Sequence, residues 1–289
     1  IYHVEVSSHL LKKLLADNNL KPSEIGAVSY SQGPGMGACL RTGAAAARSI
    51  STYLGVPLVG VNHCVAHIEI GREQCGCKDP ILLYVSGGNT QVIARLDGRY
   101  RVLGETLDIG IGNMLDKFAR NHGIPFPGGP VIEKHALEWL ENNPNSSLQG
   151  LELPYAVHGM DLAFSGLMSA ANKLVSEGKP FAAVCWSLQE HAFAACVEVA
   201  ERALAHTGKA EILLGGGVAC NQRLRDMSAL MCEERMAESF CPPRMYCIDN
   251  GTMIARLGWL EIGYGRTTTL ASSGIDQEMR TDQTPVVWP

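Results

Sequence analysis

No stretch of this sequence approaches the roughly 20 uninterrupted apolar residues that a membrane helix requires. No C-x-x-C pair occurs among its ten cysteines, which argues against a zinc ribbon or a thioredoxin-type centre. A basic excess is missing too: 24 Lys and Arg against 29 Asp and Glu leave a net charge of −5. That excludes a polybasic coat able to grip nucleic acid by itself, while leaving room for a local basic groove. There is no low-complexity tract, charge block, internal repeat or signal-peptide pattern. The chain opens at Ile1 rather than at a methionine, so a native start upstream of Ile1 is expected.

What is present is core. The chain has 289 residues, 46% of them hydrophobic. That is near the length at which single cores divide, so two lobes are expected. A chain this rich in core needs no disulfide framework, and its cysteines are expected to be reduced thiols, as in a cytoplasmic protein. Cys75-Gly-Cys-Lys-Asp-Pro80 is the densest loop text and the expected lobe boundary.

Leu10, Leu11, Leu14 and Leu15 form a helical stripe over 5–18, with Ser7 and Ser8 near its start. Gly26 to Tyr30 and Pro57 to Val61 read as short buried strands flanking an alanine-rich helix over 42–53. This is βα alternation, hence a parallel or mixed sheet covered by helices. Ile81–Val85 and Thr90–Ala94 read as strands of a hairpin joined by Ser86-Gly-Gly-Asn89. Towards the end, Glu211–Leu214 reads as a strand, Asn221–Ala237 as a helix, Met245–Ile248 as a strand and Thr252–Ile262 as a helix.

Four places carry chemistry. In His63-Cys-Val-Ala-His67 the imidazoles at i and i+4 share one helical face and can converge on one metal ion. Ordinary core or surface histidines produce the same spacing, so both readings stand at this point. The zinc-protease motif H-E-x-x-H is excluded, because Cys64 occupies the general-base position. Glu69, two residues past His67, lies about 200° around the helix from it and is a poor substitute. In Ser86-Gly-Gly-Asn89, successive N–H groups can cup an anion, though a plain hairpin turn also accounts for it. Gly215-Gly-Gly217, between a strand and a helix, has more glycine than a βα turn needs and suits phosphate or ribose contact. Neither loop is a Walker A motif, and no G-x-G-x-x-G occurs. A bound nucleotide would therefore be clasped by two separate glycine loops in a cleft. Asp249-Asn-Gly-Thr252 reads as a helix cap, or as a carboxylate completing a two-histidine, one-carboxylate metal site.

Five segments occur in a set order: Asn62-His-Cys-Val-Ala-His-Ile-Glu-Ile-Gly-Arg72, Tyr84-Val-Ser-Gly-Gly-Asn-Thr-Gln91, Gly159-Met-Asp-Leu-Ala-Phe-Ser-Gly166, Gly216-Gly-Val-Ala-Cys-Asn221 and Cys247-Ile-Asp-Asn-Gly251. Together they resemble the universal tRNA threonylcarbamoyladenosine transferases, the catalytic subunits of KEOPS complexes, long labelled O-sialoglycoprotein endopeptidases. The similarity runs from about residue 5 to Arg280-Thr-Asp-Gln283, and Tyr84, Asn89 and the tail resemble the archaeal and eukaryotic cytosolic branch.

The resemblance implies an α/β, two-lobed actin-like ATPase fold (the sugar kinase and Hsp70 architecture). Residues 1–79 with 265–289 would form one lobe, and 80–264 a second lobe with the glycine loops and the nucleotide and metal cleft. It implies a divalent ion, iron or zinc, on His63, His67, Tyr84 and Asp249. It assigns the adenylate to Tyr84, Val85, Ser86, Gly87, Gly88, Asp116, Gly129, Glu133, Gly217 and Asn221. The Gly159–Gly166 segment is explained equally by a packing turn and by ligand contact. The implied reaction moves a threonylcarbamoyl group from threonylcarbamoyl-AMP to N6 of an adenosine beside the tRNA anticodon, with no protein nucleophile. The implied partners are tRNA and KEOPS-type subunits including a small kinase, without a membrane, in cytoplasm and nucleus. The family also opens with a strand bearing a Gly-Ile-Glu-Ser/Thr-type loop, which this chain lacks, so its N-terminal strand is expected to be missing. The competing readings are a small-molecule kinase on the same fold, a non-catalytic nucleotide-binding subunit and, last, a glycoprotein endopeptidase without a base.

Overall fold

The structure, a computed structural model, describes residues 2–289; Ile1 lies outside them, as do the side chains of Tyr2, His3, Val4 and Ser8. In chain order come α1 (Tyr2–Asp17), β1 (Val28–Gly33), α2 (Gly37–Leu54), β2 (Leu58–Asn62) and α3 (His63–Cys75). Three strands follow, β3 (Ile81–Val85), β4 (Thr90–Leu96) and β5 (Arg99–Glu105), then α4 (Ile111–Asn121) and α5 (Gly129–Asn142). A small hairpin of β6 (Val157–His158) and β7 (Asp161–Leu162) precedes α6 (Ser165–Ser176) and α7 (Phe181–Thr207). The last elements are β8 (Glu211–Gly215), α8 (Gln222–Glu234), β9 (Glu238–Phe240), α9 (Arg244–Cys247) and α10 (Gly251–Gly263). No helix among the described residues is long and apolar enough to cross a membrane.

The chain forms two compact units, Ile1–Ile70 with Leu96–Tyr100 and Asn250–Pro289, and Gly71–Arg95 with Arg101–Asp249. In the first, β1 and β2 pair in parallel, and α2 supplies the crossover that parallel strands need. Tyr30, Ala44, Ala47 and Leu58 form one cluster of its core, with Val28 and Ile275 packed against them. The helix α10 lies so close to β1 that a Cβ on Gly258 would fall 2.4 Å from the Cβ of Ser29. The irregular segment after α10 is tied down by polar bonds. The Tyr30 hydroxyl donates to the Ser273 carbonyl at 3.0 Å, Gln32 Nε2 to the Ser272 and Gly274 carbonyls at 3.1 and 2.7 Å, and Asn62 Nδ2 to the Arg280 carbonyl at 3.3 Å. Trp288, 2% exposed, donates its indole N–H to Glu69 Oε1 at 2.8 Å, and the Tyr100 hydroxyl donates to the same oxygen.

The second unit is built on a mixed sheet of order β5-β4-β3-β8-β9. The central β3 is antiparallel to β4 and parallel to β8. All five β3 residues are buried, which is why this strand reads as an unbroken apolar run rather than an alternating one. The long α7 is buried along most of its length and packs on α5, α6 and α8, so it is apolar nearly all round.

The α/β class and mixed sheet agree with expectation, and several local readings are corrected. Residues 245–248 are not a strand. Pro243 starts the short helix α9, its carbonyl accepting from the Tyr246 and Cys247 N–H groups, and the sheet position is taken instead by β9. Asp249 therefore follows a helix turn rather than a strand end. The first helix begins at Tyr2, so Ser7 lies inside it. Within its leucine stripe, Leu11 and Leu15 are half-buried while Leu10 and Leu14 are exposed. The alanine-rich helix starts five residues early, at Gly37, and β1 is shifted to Val28–Gly33. No disulfide joins any of the ten cysteines, all of which lie among the described residues.

Candidate metal and nucleotide site

Asn62, at the end of β2, sets the histidine pair. Its side-chain Oδ1 accepts from the N–H groups of Cys64 at 2.9 Å and Val65 at 3.1 Å, capping the first turn of α3. The helix thus opens at His63, and His67 follows one turn later on the same face. Their ring centroids are 5.0 Å apart at 76°. His63 is half-buried and His67 is buried, 3% exposed. One ligand atom each from His63, His67 and Asp249 lie within 4.8 Å of one another. Two imidazoles and a carboxylate suit a first-row divalent ion, so the donor set fits the metal implied by the sequence. Glu69 faces away from this role, its carboxylate being taken by Trp288 and Tyr100.

Tyr84 is a buried β3 residue, paired with Gln91 on β4 and with Gly215 on β8. Val85 ends β3, and the Ser86–Asn89 turn is closed by Ser86 N–H donating to the Asn89 carbonyl at 2.8 Å. The Gly215–Gly217 turn lies directly against it. Gly216 has φ +92°, and a Cβ there would fall 2.4 Å from the Val85 carbonyl oxygen, so only glycine lets the two turns touch. Both turns sit at the carboxyl ends of the adjacent parallel strands β3 and β8, where α/β sheets place their ligands.

The N-terminus of α4, which carries partial positive charge, abuts the Ser86–Asn89 turn, and the starts of α5 and α8 are tied to α4 and to α5 in turn. At α4, the N–H groups of Gly112 and Asn113 donate to the Ser86 and Gly87 carbonyls at 3.1 and 2.9 Å. At α5, Asp116 Oδ1 accepts from Gly128 N–H at 2.7 Å and Gly129 N–H at 3.4 Å. At α8, Glu133 Oε1 accepts from Gln222 N–H at 2.8 Å, and Asn221 Oδ1 accepts from the N–H groups of Arg223 and Leu224. Asn221 Nδ2 donates to Gln189 Oε1 at 2.6 Å. Asp116 and Gly129 are thus brought into contact, as are Glu133 and the start of α8. All of these residues belong to the second unit.

Gly159 turns the β6–β7 hairpin, and the Asp108 carboxylate accepts from Phe164 and Ser165 N–H groups, both at 2.9 Å, at the start of α6. Desolvation acts to raise the Asp108 carboxyl, but these backbone donors outweigh it and hold the group below the usual carboxylate range. Sequence reasoning missed Asn62, Gln189 and the pair Gly110 and Gly112, which admit α4 against the Ser86–Gly88 turn. The Gly110-Ile-Gly112 text was a readable signal for such a close approach. Gln189 had none, lying within an apolar helix.

The profile of the family described as "tRNA N6-adenosine threonylcarbamoyltransferase" matches residues 1–256. A protein of Methanocorpusculum labreanum described as "Probable bifunctional tRNA threonylcarbamoyladenosine biosynthesis protein" is 53% identical over 99% of this chain and 52% of its own length. A Methanococcoides burtonii protein described as "tRNA N6-adenosine threonylcarbamoyltransferase" is 49% identical over 99% of this chain and 84% of its own. The chain spans about half the length of several of the curated relatives it matches. Among solved structures, HypF of T. kodakarensis superposes with TM-score 0.66 at 15% identity, over 85% of this chain and 42% of that one. This last likeness shows the fold alone, and it agrees with the expected actin-like ATPase architecture.

Proposed function

Because the chain belongs to the tRNA N6-adenosine threonylcarbamoyltransferase family, we propose that it transfers the threonylcarbamoyl group of threonylcarbamoyl-AMP to N6 of an adenosine beside the tRNA anticodon, releasing AMP. The observation that carries this reading is the contact between the Ser86–Asn89 and Gly215–Gly217 turns, with the N-terminus of α4 packed against the first of them. Backbone N–H groups of Gly87, Gly88 and Gly217, beside Val85 and Ser86, take the phosphate and offset the charge that AMP gains as it leaves. Asp116, Gly129, Glu133 and Asn221 hold the surrounding helix ends in register and frame the rest of the adenylate.

His63, His67 and Asp249, joined by Tyr84, hold a divalent ion, and their mixed donors suit iron and zinc alike. When bound, that ion supplies a Lewis acid that polarises the carbamoyl carbonyl. The N6 amine attacks the carbamoyl carbon directly, so no side chain of this protein needs to act as nucleophile. The net charge of −5 fits an arrangement in which KEOPS-type partner subunits, a small kinase among them, supply part of the tRNA grip. The setting is cytoplasmic and nuclear.

The test offers adenylate labelled in its threonine to the protein with unmodified tRNA, with and without the kinase subunit. Label on tRNA that disappears in His63→Ala is expected. In His67→Ala and Asp249→Ala, metal analysis is expected to show loss of the ion from a protein that is still folded. Full metal occupancy in either variant overturns the ligand assignment. Adenylate binding with no label transferred under any condition replaces the transferase reading with that of a non-catalytic binding subunit.

A further inference from the structure

Three cysteines of the second unit meet beside the Gly215–Gly217 turn, outside the roles assigned above. The Sγ atoms of Cys241 and Cys247 are 3.7 Å apart. Cys247 is fully buried, its Sγ 3.1 Å from the Pro242 carbonyl oxygen, while Cys241 and Cys220 are half-buried. Arg225 reaches into the same corner, its Nε donating to the Ala219 carbonyl at 2.7 Å, the oxygen that Cys241 Sγ also approaches at 3.5 Å.

We propose that Cys241 and Cys247 are a peroxide-reactive dithiol, with Cys241 the attacking thiol and Cys247 the resolving one. A sulfur that is reachable, cationic in its surroundings and in contact with a second thiol is the arrangement that oxidises selectively. The Cys247 S–H and the Arg225 guanidinium draw the Cys241 thiol below its ordinary pKa, against the opposing effect of burial. Cys220 is drawn down by the same Cys247 proton and by Arg225 and Arg244; that single proton serves one sulfur at a time. Buried cysteines elsewhere behave in the opposite way: desolvation pushes the Cys185 thiol up to about 12 and raises that of Cys196.

The chemistry balances with hydrogen peroxide as oxidant. The Cys241 thiolate attacks one peroxide oxygen, so that an S–O bond forms and the O–O bond breaks. The departing hydroxide takes a proton to become water. Cys241 is then a sulfenic acid, oxidised by two electrons. The Cys247 sulfur attacks it, the S–S bond forms, the S–O bond breaks, and the hydroxide leaves with the Cys247 proton as a second water. The sulfurs must close from 3.7 Å to about 2.05 Å, a movement within the turn that joins β9 to α9. The bridge would lock the segment two residues before Asp249.

The experiment treats the purified protein with stoichiometric hydrogen peroxide, alkylates the remaining thiols and maps tryptic peptides by mass spectrometry. The expected product links the peptides 236–244 and 245–256, and dithiothreitol reverses it. Cys247→Ser should lose the link and leave a dimedone-reactive sulfenic acid on Cys241. Cys241→Ser should lose both, and Cys39→Ser should lose neither, with folding of each checked by circular dichroism. A link from 210–223 to 245–256 overturns the proposal by making Cys220 the partner. So does consumption of Cys39 or Cys75 while Cys241 and Cys247 stay alkylatable.

Discussion

The two units hold themselves together by different means. In the first, two parallel strands pack against helices around a core that includes the cluster of Tyr30, Ala44, Ala47 and Leu58, and an irregular tail is bound by polar bonds that Tyr30, Gln32 and Asn62 donate and Glu69 accepts. In the second, five strands and the long α7 bury uninterrupted apolar surface, and polar bonds concentrate at helix ends. The difference follows from strand number, because a two-strand sheet buries little surface and needs tethers to other segments. Directional tethers depend on one partner each. Apolar burial is spread over many contacts, so one deletion is shared among neighbours.

The sharpest way to break the contrast is Trp288→Ala. It removes a buried indole, a loss of about 3–5 kcal/mol. It also takes a hydrogen bond from the buried Glu69 carboxylate, a further cost of roughly 1–3 kcal/mol. Hydrogen exchange followed by mass spectrometry should show β1 and β2 losing protection while β3 and β8 keep theirs. Equal loss in both units would mean that the tail is no local tether. Next in size is Leu83→Ala in the middle of β3, where about 2–5 kcal/mol is expected, with the pattern reversed.

The smallest effect separates the units by pH. Burial pushes the Glu261 carboxyl in the first unit up, with Arg266 partly opposing. A raised folded pKa means that its favourable contribution is complete below the unfolded value, about 4.3, and is lost as pH rises through the folded one. In the second unit the depressed Asp108 carboxyl stabilises above its unfolded value, about 3.9, and that contribution is lost as pH falls towards the lower folded one. Melting curves from pH 3 to 7 should therefore lose an acid-side slope in Asp108→Asn and a slope of opposite sign in Glu261→Gln. Unchanged slopes in both variants would show that neither group is linked to folding.

Local text carried the strands β3 and β4, the turn between them and the pairing of His63 with His67. An apolar run ending in Ser-Gly-Gly-Asn has few other solutions, and i,i+4 spacing is a property of the helix itself. The same apolar criterion misread Met245–Ile248, because a four-residue run has no period and Pro243 set the helix instead. The five spaced motifs carried the family as a whole, beyond what any one spacing could support.

The sequence by itself determined element types wherever period or turn chemistry acts within a few residues, and it put two imidazoles on one helical face. Only the tertiary structure decided that Asp249 joins those imidazoles, that Gly216 lies under Val85, and that Asp116 and Glu133 hold the starts of α5 and α8. These pairs are separated by 12 to 186 residues along the chain. Their meeting depends on which buried faces fill one another's space, and close packing of whole elements, rather than any local preference, selects that.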